Sequence, residues 1–471
     1  MKLTIKSPKI FAAALIALGM SAAGCKKFID VDAPSDQLVT STAFATDNTL
    51  KSTISGMYIT MAYSNSYDLQ FNLSFLTGNS SDEFKFYVPS SDYDPYYFYT
   101  LATDEYKVAA LWADLYSSIY QANSIIEGVQ NSTGTISSTM KTEAISEAKF
   151  VRAFCHFNLV NLYGDVPIVT TTDAVKNNTL YRSKKEDVYK QIISDLTDAR
   201  DHLLTDYSYA NGERTRPNKY VAQALLSRAY LYAGDWANAQ LNADSVINHT
   251  ELYNLLSTEK LGGIFVKNNQ EAIWQVTASP AAFVGFTQEG QYYSFGSKSI
   301  PNYLLSDYLV KAFETGDKRF DNWVGTSTYE GTTYYYPFKY KQSAEDEGDD
   351  GEYCTYLRLA EQYLISAEAK AQQNNLSGAI AAINVIRSRA GLPATTASSQ
   401  ADILLAVEQE RRIELFGEYG HRWNDLRRTG RADAVLSKVK EGWTTNAALY
   451  PIPKYDRNNN HNLTQNPGYG E

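Results

Sequence analysis

Two stretches of this chain can bury their apolar residues only as pairs of antiparallel helices. In 219–248, Ala222, Ala229 and Ala233 give the first helix a small-residue face, Gly234-Asp235 ends it, and Ala239 and Ala243 answer from the second. In 356–391, Leu359, Ala360, Tyr363, Leu364, Ala367 and Ala371 line one helix. Asn374-Asn375 turns the chain, and Ala379, Ala382, Ile383 and Ile386 return. This small-against-large match is what helical repeats of ~34 residues need in order to stack. Long loops interrupt the pattern. The expected fold is therefore mostly α, built from degenerate tetratricopeptide-like helix pairs with long loops and a little β.

Other elements follow from spacing. Asp47 can cap a helix running to Met61; Leu111, Trp112, Leu115, Tyr116, Ile119 and Ala122 predict a helix over 105–130; another covers 139–163, stopped by Gly164 and Pro167. Tyr63–Thr100 reads as an aromatic, turn-rich segment. Ala272–Val276 reads as a short strand, 303–314 as a helix, and Thr328–Lys341 as sheet.

The N-terminus reads as targeting, not fold. Lys2, Lys6 and Lys9 precede an apolar run, Ile10–Met20, and Ser21, Ala22, Ala23 and Gly24 lead directly to Cys25. The run is too short to span a bilayer. The arrangement resembles a bacterial lipobox, with Ala22 where Leu is more usual. Residues 1–24 are thus expected to be a signal peptide, Cys25 the lipidated residue, and 25–45 an extended tether. Several acyl chains at ~0.8 kcal/mol per buried methylene make a stable anchor. No later stretch reaches the ~18 apolar residues of a spanning helix.

A net charge of -10, from 43 Lys+Arg against 53 Asp+Glu, repels phosphate backbones and argues against a nucleic-acid partner. With Cys25 lipidated, Cys155 and Cys354 remain; both lie in apolar or aromatic surroundings and read as buried thiols rather than a disulfide. None of His156, His202, His249, His421 or His461 has a second His within a turn, and no Gly-x-Ser-x-Gly elbow, P-loop or dinucleotide fingerprint opens a helix. No catalytic residue or cofactor is indicated. The acidic run 344–353 reads as a solvated loop, with calcium binding as its alternative.

Three segments in order resemble the SusD/RagB family of outer-membrane nutrient-binding lipoproteins. The first runs from Glu147 through Arg152-Ala153 to Tyr163-Gly164-Asp165-Val166-Pro167, departing from the family pattern at Cys155 and His156. The second joins Arg358, Glu361 and Glu368 to Glu410-Arg411-Arg412, Glu414 and Gly420-His421-Arg422-Trp423-Asn424-Asp425-Leu426-Arg427-Arg428. The third is Leu449 to Pro453 with Asn466-Pro467-Gly468-Tyr469. The resemblance implies a SusD-like helical region over 46–255 and a C-terminal RagB/SusD domain with loop insertions over 256–471. It implies a non-catalytic lipoprotein on the cell-surface side of the outer membrane, handing an oligosaccharide to a TonB-dependent barrel. Peptide capture is the alternative within the family, and a lipid-anchored glycoside hydrolase the alternative outside it.

The motifs themselves read as scaffold. Glu410, Arg411, Glu414, Arg422, Asp425 and Arg428 have helical spacings suited to interlocking ion pairs, and the Asn466 turn reads as pinning the C-terminus. A glycan instead needs flat aromatic faces flanked by polar side chains on loops. With 36 Tyr beside 19 Phe and 6 Trp, Tyr is the main supplier. Two stretches fit: 79–99, with Asp82, Asp92, Tyr93, Tyr96, Tyr97 and Tyr99, and 283–293, with Phe286, Gln288, Gln291, Tyr292 and Tyr293. Trp112, Trp236, Trp274 and Trp423 lie on periodic elements and are expected to be buried, so Trp platforms are scarce and Trp323 is the main remaining candidate.

Overall fold

Both helical hairpins form where the spacing places them: Lys219–Ala233 with Trp236–Ile247, and Leu359–Gln372 with Leu376–Arg389. The computed structural model describes residues 40–64, 67–85, 89–90, 92–277, 286–293, 304–343 and 351–470. Gly234 ends the first helix at φ +78°, and the Asp235 carboxylate accepts from the Asn238 amide to start the second. Asn375 plays the same capping role in the second hairpin. The pairs then stack on one another through polar contacts that fix their register. Arg228 donates to both oxygens of Glu361 at 2.6 Å, Ser227 to Gln362 at 2.7 Å and Ser366 to Asp244 at 2.6 Å.

Two long helices, Tyr106–Gln130 and Ser138–Tyr163, pack beside Lys185–His202, and Arg152 ties them together through Asp195 at 2.7 Å and Asn123 at 2.8 Å. One apolar core runs from Ala43 to Leu463, so the chain on either side of residue 255 shares an interior. Trp112, Trp274 and Trp423 are inside it, as are Cys155 and Cys354, both free thiols; Trp236 is only half-buried at its edge. Strand content is small: Ala272–Val276 pairs antiparallel with Cys354–Arg358, and Val324–Tyr329 with Thr332–Pro337.

Two local readings change. Tyr63–Thr100 contains a helix, Leu69–Ser80, buried on every side. A helix enclosed all round has no polar face, so no 3.6-residue period marks it. The helix expected over 303–314 is a short strand, Leu304–Leu305, then one turn, Asp307–Val310, because Leu304 and Leu305 pair with Lys85 and Phe84.

The motif residues interlock as their spacing suggests. Glu414 lies among three guanidinium groups, contacting Arg319 at 3.1 Å, Arg358 at 2.5 Å and Arg389, and Arg411 and Arg428 each bond Asp425 at 2.7 Å. Gly420 opens the His421–Arg428 helix at φ +70°, and a Cβ there would come within 2.7 Å of Thr77 Oγ1, so glycine is required on both counts. At the C-terminus, Asn466 Nδ2 donates to the carbonyls of Tyr163 at 2.8 Å and Tyr450 at 2.7 Å, joining the first motif to the last.

Candidate functional site

The Leu69–Ser80 helix positions the site. Phe71 and Phe75, one turn apart, stack with centroids at 5.3 Å and planes 5° apart. Onto this pair come the two aromatic stretches, far apart in sequence. Tyr292, from the Gln288–Tyr293 helix, stacks on Phe71 at 5.1 Å, and Tyr93 meets Phe75 edge-on at 4.6 Å. Tyr93 and Tyr292 are both half-buried, so each ring is held in place while remaining partly accessible. Phe84 and Tyr293 fill the space beneath, and the half-buried Gln291 adjoins. A rigid aromatic floor with two partly open phenols is the arrangement a sugar ring's C–H face can stack on, with hydroxyls for its polar edge.

From Tyr93 the Asp94–Phe98 helix carries the surface onward to Tyr97. Lys440 Nζ sits 3.4 Å from the centre of the Tyr97 ring and donates to the Asn79 carbonyl at 2.8 Å. A cavity of about 130 Å³ lies here, lined among others by Asp82, Lys85, Tyr97, Asp307 and Tyr308. A larger one of about 530 Å³ shares Asp82, Tyr308 and Val439 with it and adds Arg412, Arg422, Arg431 and Lys438. Tyr308 is 50% exposed. It was missed by sequence reasoning because the strand–turn at 304–310 that aims it outward depends on pairing with Phe84–Lys85.

Several expected site residues are placed elsewhere. Trp323 is fully buried, its indole N–H donating to the Leu261 carbonyl at 2.9 Å and its ring lying 4.8 Å from Lys339 Nζ. It shields the buried ion pairs and presents no open face. Tyr96 is fully buried, edge-on to Tyr450 at 5.3 Å, because the short helix that opens Tyr93 and Tyr97 must turn Tyr96 inward. Tyr293 and Phe286 are buried as well. Asp82 is a scaffold carboxylate at the cavity floor, accepting from Arg422 Nε at 2.7 Å and Nη2 at 3.0 Å, with Arg412 at 2.8 Å. Burial works to raise its pKa, but Arg422 and Arg412 hold it below the usual carboxylate value. Asp92 is exposed beside Tyr93. Cys25, residues 283–285 and residues 344–350 of the acidic run lie outside the described residues.

The chain as a whole has relatives. A family model described as "SusD family" matches residues 171–469, and a second, "Starch-binding associating with outer membrane", matches 27–231. SusD-like protein P25 of Formosa agariphila is 24% identical over 489 aligned positions, covering 91% of each chain. The crystal structure of a SusD superfamily protein from Bacteroides vulgatus superposes with a TM-score of 0.79 at 20% identity, covering 90% of this chain and 99% of that one. A laminarin-binding SusD-like protein superposes at 0.75 with 25% identity, over 90% of this chain and all of that one. The helix pairs, the ion-paired motifs and a match across most of the chain agree, and the chain belongs to the SusD family of non-catalytic binding proteins.

Proposed function

We propose that this chain is an outer-membrane lipoprotein that captures an oligosaccharide on the Tyr93–Tyr292 face and passes it to a TonB-dependent barrel. The observation that carries the proposal is the convergence of these two half-buried tyrosines, from segments far apart in sequence, on the stacked Phe71–Phe75 floor. Capture needs no bond chemistry, and the family is one of binding proteins. Calorimetry with a panel of neutral oligosaccharides, laminarin and starch fragments among them, is expected to find a ligand whose reducing ends do not increase with time. Release of new reducing ends would turn the reading to a hydrolase; binding of peptides alone would turn it to peptide capture.

Anchoring rests on the run that ends at Cys25. Cys25→Ala is expected to yield a protein of unlipidated mass that no longer sediments with outer membranes. Retention of the variant in the membrane fraction would refute lipidation there.

A tethered binder has no path across the membrane of its own: among the described residues no helix is long and apolar enough to cross one. The resemblance to the SusD/RagB lipoproteins implies that it caps a TonB-dependent barrel. The stretch from Cys25 to Phe44, roughly 20 residues, spans ~60 Å when extended, enough for the body to swing as a lid while anchored. Ligand enclosed between lid and barrel is retained by two surfaces at once. Mild-detergent purification of the lipidated protein is expected to recover a much larger β-barrel in equimolar amount. Recovery of the protein alone, by pulldown and by crosslinking, would leave a free-standing surface binder instead.

A further inference from the structure

On the surface where the first and last motifs meet lies a cavity of about 560 Å³ whose charges are not balanced as they are elsewhere. Most buried guanidinium groups here are matched to carboxylates, as in Arg152–Asp195, Arg228–Glu361 and Arg422–Asp82. Arg427 is not. Among the described residues one of its nitrogens donates to the Asn161 carbonyl, its plane lies 5.5 Å from the Trp423 ring, and it makes no ion pair. Lys185, on the same cavity wall, likewise has no carboxylate within ion-pair distance; its Nζ lies 5.7 Å from the centre of the Tyr189 ring.

The other charged groups facing the cavity do not neutralise these two. Arg428 is spent on Glu368 and Asp425, and Arg182 on the carbonyls of Tyr163, Asp165 and Thr464 and on the Asn466 side chain. Asp165 takes the Lys185 backbone N–H at 2.9 Å, and Asp433 takes the Trp443 indole N–H at 2.8 Å and the Thr445 hydroxyl at 3.0 Å. Burial and the neighbouring Arg427 both lower the Lys185 pKa, and burial lowers that of Arg427 to about 10, as two cations short of counter-charge should behave.

Two further features belong to the same wall. Asn424 is only 8% exposed, and its amide oxygen has no hydrogen-bond partner among the described residues. An orphan buried acceptor asks for a donor. Trp443 is half-buried and contributes a flat indole to the lining.

We propose that this cavity is a second ligand site, for an acidic sugar unit: a carboxylate or sulfate ester between Arg427 and Lys185, a hydroxyl on Asn424 and a ring face against Trp443. The oxyanion requirement comes from the unpaired cations; the choice of a sugar as its carrier rests on the glycan reading above. Guanidinium and ammonium donors make charge-assisted bonds to such oxygens, stronger than neutral ones.

The test uses monosaccharides, so it does not depend on finding the cognate oligosaccharide. D-glucuronate, D-glucose 6-sulfate, D-glucose and inorganic sulfate are titrated into the full chain at constant ionic strength and followed by saturation-transfer NMR and, for inorganic sulfate, by the shift of the unfolding midpoint. Both sugar acids are expected to bind at concentrations where glucose does not. Lys185→Gln, a change at the first residue of a helix whose backbone cap is untouched, is expected to weaken them about 10-fold or more. Tyr93→Ala/Tyr292→Ala is expected to leave them unchanged, which separates failure of this site from failure of the aromatic face. Equal binding of glucose, a response to inorganic sulfate alone, or wild-type affinity in Lys185→Gln would each overturn the proposal. Arg427→Gln adds a second measurement where it folds, with the same loss expected.

Discussion

Glu414→Gln is expected to lower the free energy of unfolding by about 3–5 kcal/mol, because it removes the one buried negative charge that three buried guanidinium groups share. Arg319, Arg358 and Arg389 are all buried and all converge on this carboxylate. Each retains another acidic partner, Asp317, Glu418 or Glu271, so the fold survives the change while the cluster is left with excess positive charge. A denaturant titration should show a lower midpoint with an unaltered slope. The exposed Lys190–Asp187 pair is the control, and Asp187→Asn should leave the midpoint in place. A wild-type midpoint for Glu414→Gln would mean that the cluster does not hold the fold.

The same carboxylate sets a pH dependence. Burial acts to raise the Glu414 pKa, but Arg389, Arg358 and Arg319 outweigh it and hold it well below the ordinary value. The folded-state pKa is therefore depressed relative to the unfolded value of about 4.3. Its stabilisation is complete above that unfolded value and is lost as pH falls toward the folded one. Wild type should consequently lose stability with acid more steeply than Glu414→Gln, which has no proton to take up there.

The second large effect is on binding. Stacking on each of Tyr93 and Tyr292 is expected to contribute roughly 1–2 kcal/mol, so the double change to alanine should weaken the cognate oligosaccharide about 30- to 700-fold. Both side chains are only half-buried, so the variant is expected to fold, and circular dichroism should confirm it. Tyr181, 70% exposed on another face, is the control, and Tyr181→Ala should bind as wild type. Undiminished affinity in the double variant would put the ligand elsewhere, with the Tyr97–Tyr308 cavity the next place to mutate.

The amphipathic helices were legible because burial on one face leaves a period. The hairpins at 219–248 and 356–391 and the long helices ending at Gln130 and Tyr163 follow from that period together with local caps at Ser137, Asp235 and Asn375. The acid–base motif was legible for a related reason: Glu410, Arg411 and Glu414 share a helix, and charges at such spacings are kept only when partners meet them.

The aromatics of the candidate site carry no such mark. Tyr93, Tyr96 and Tyr97 have the same side chain within five residues, yet Tyr96 is fully buried while its neighbours are only half-buried. Phe71 and Phe75 lie on a helix that has no period because it is enclosed on all sides. Trp323 stood out as the main Trp candidate off the periodic elements, but it packs beside a buried cation, Lys339, a neighbour that exists only once the chain has folded. Local propensity, caps and one-sided burial are properties of neighbouring residues, so sequence alone determined the helix pairs and the charged scaffold. Which tyrosines stay open, and which cations lack a counter-charge, depends on what other segments bring against them, and that was decided only by tertiary packing.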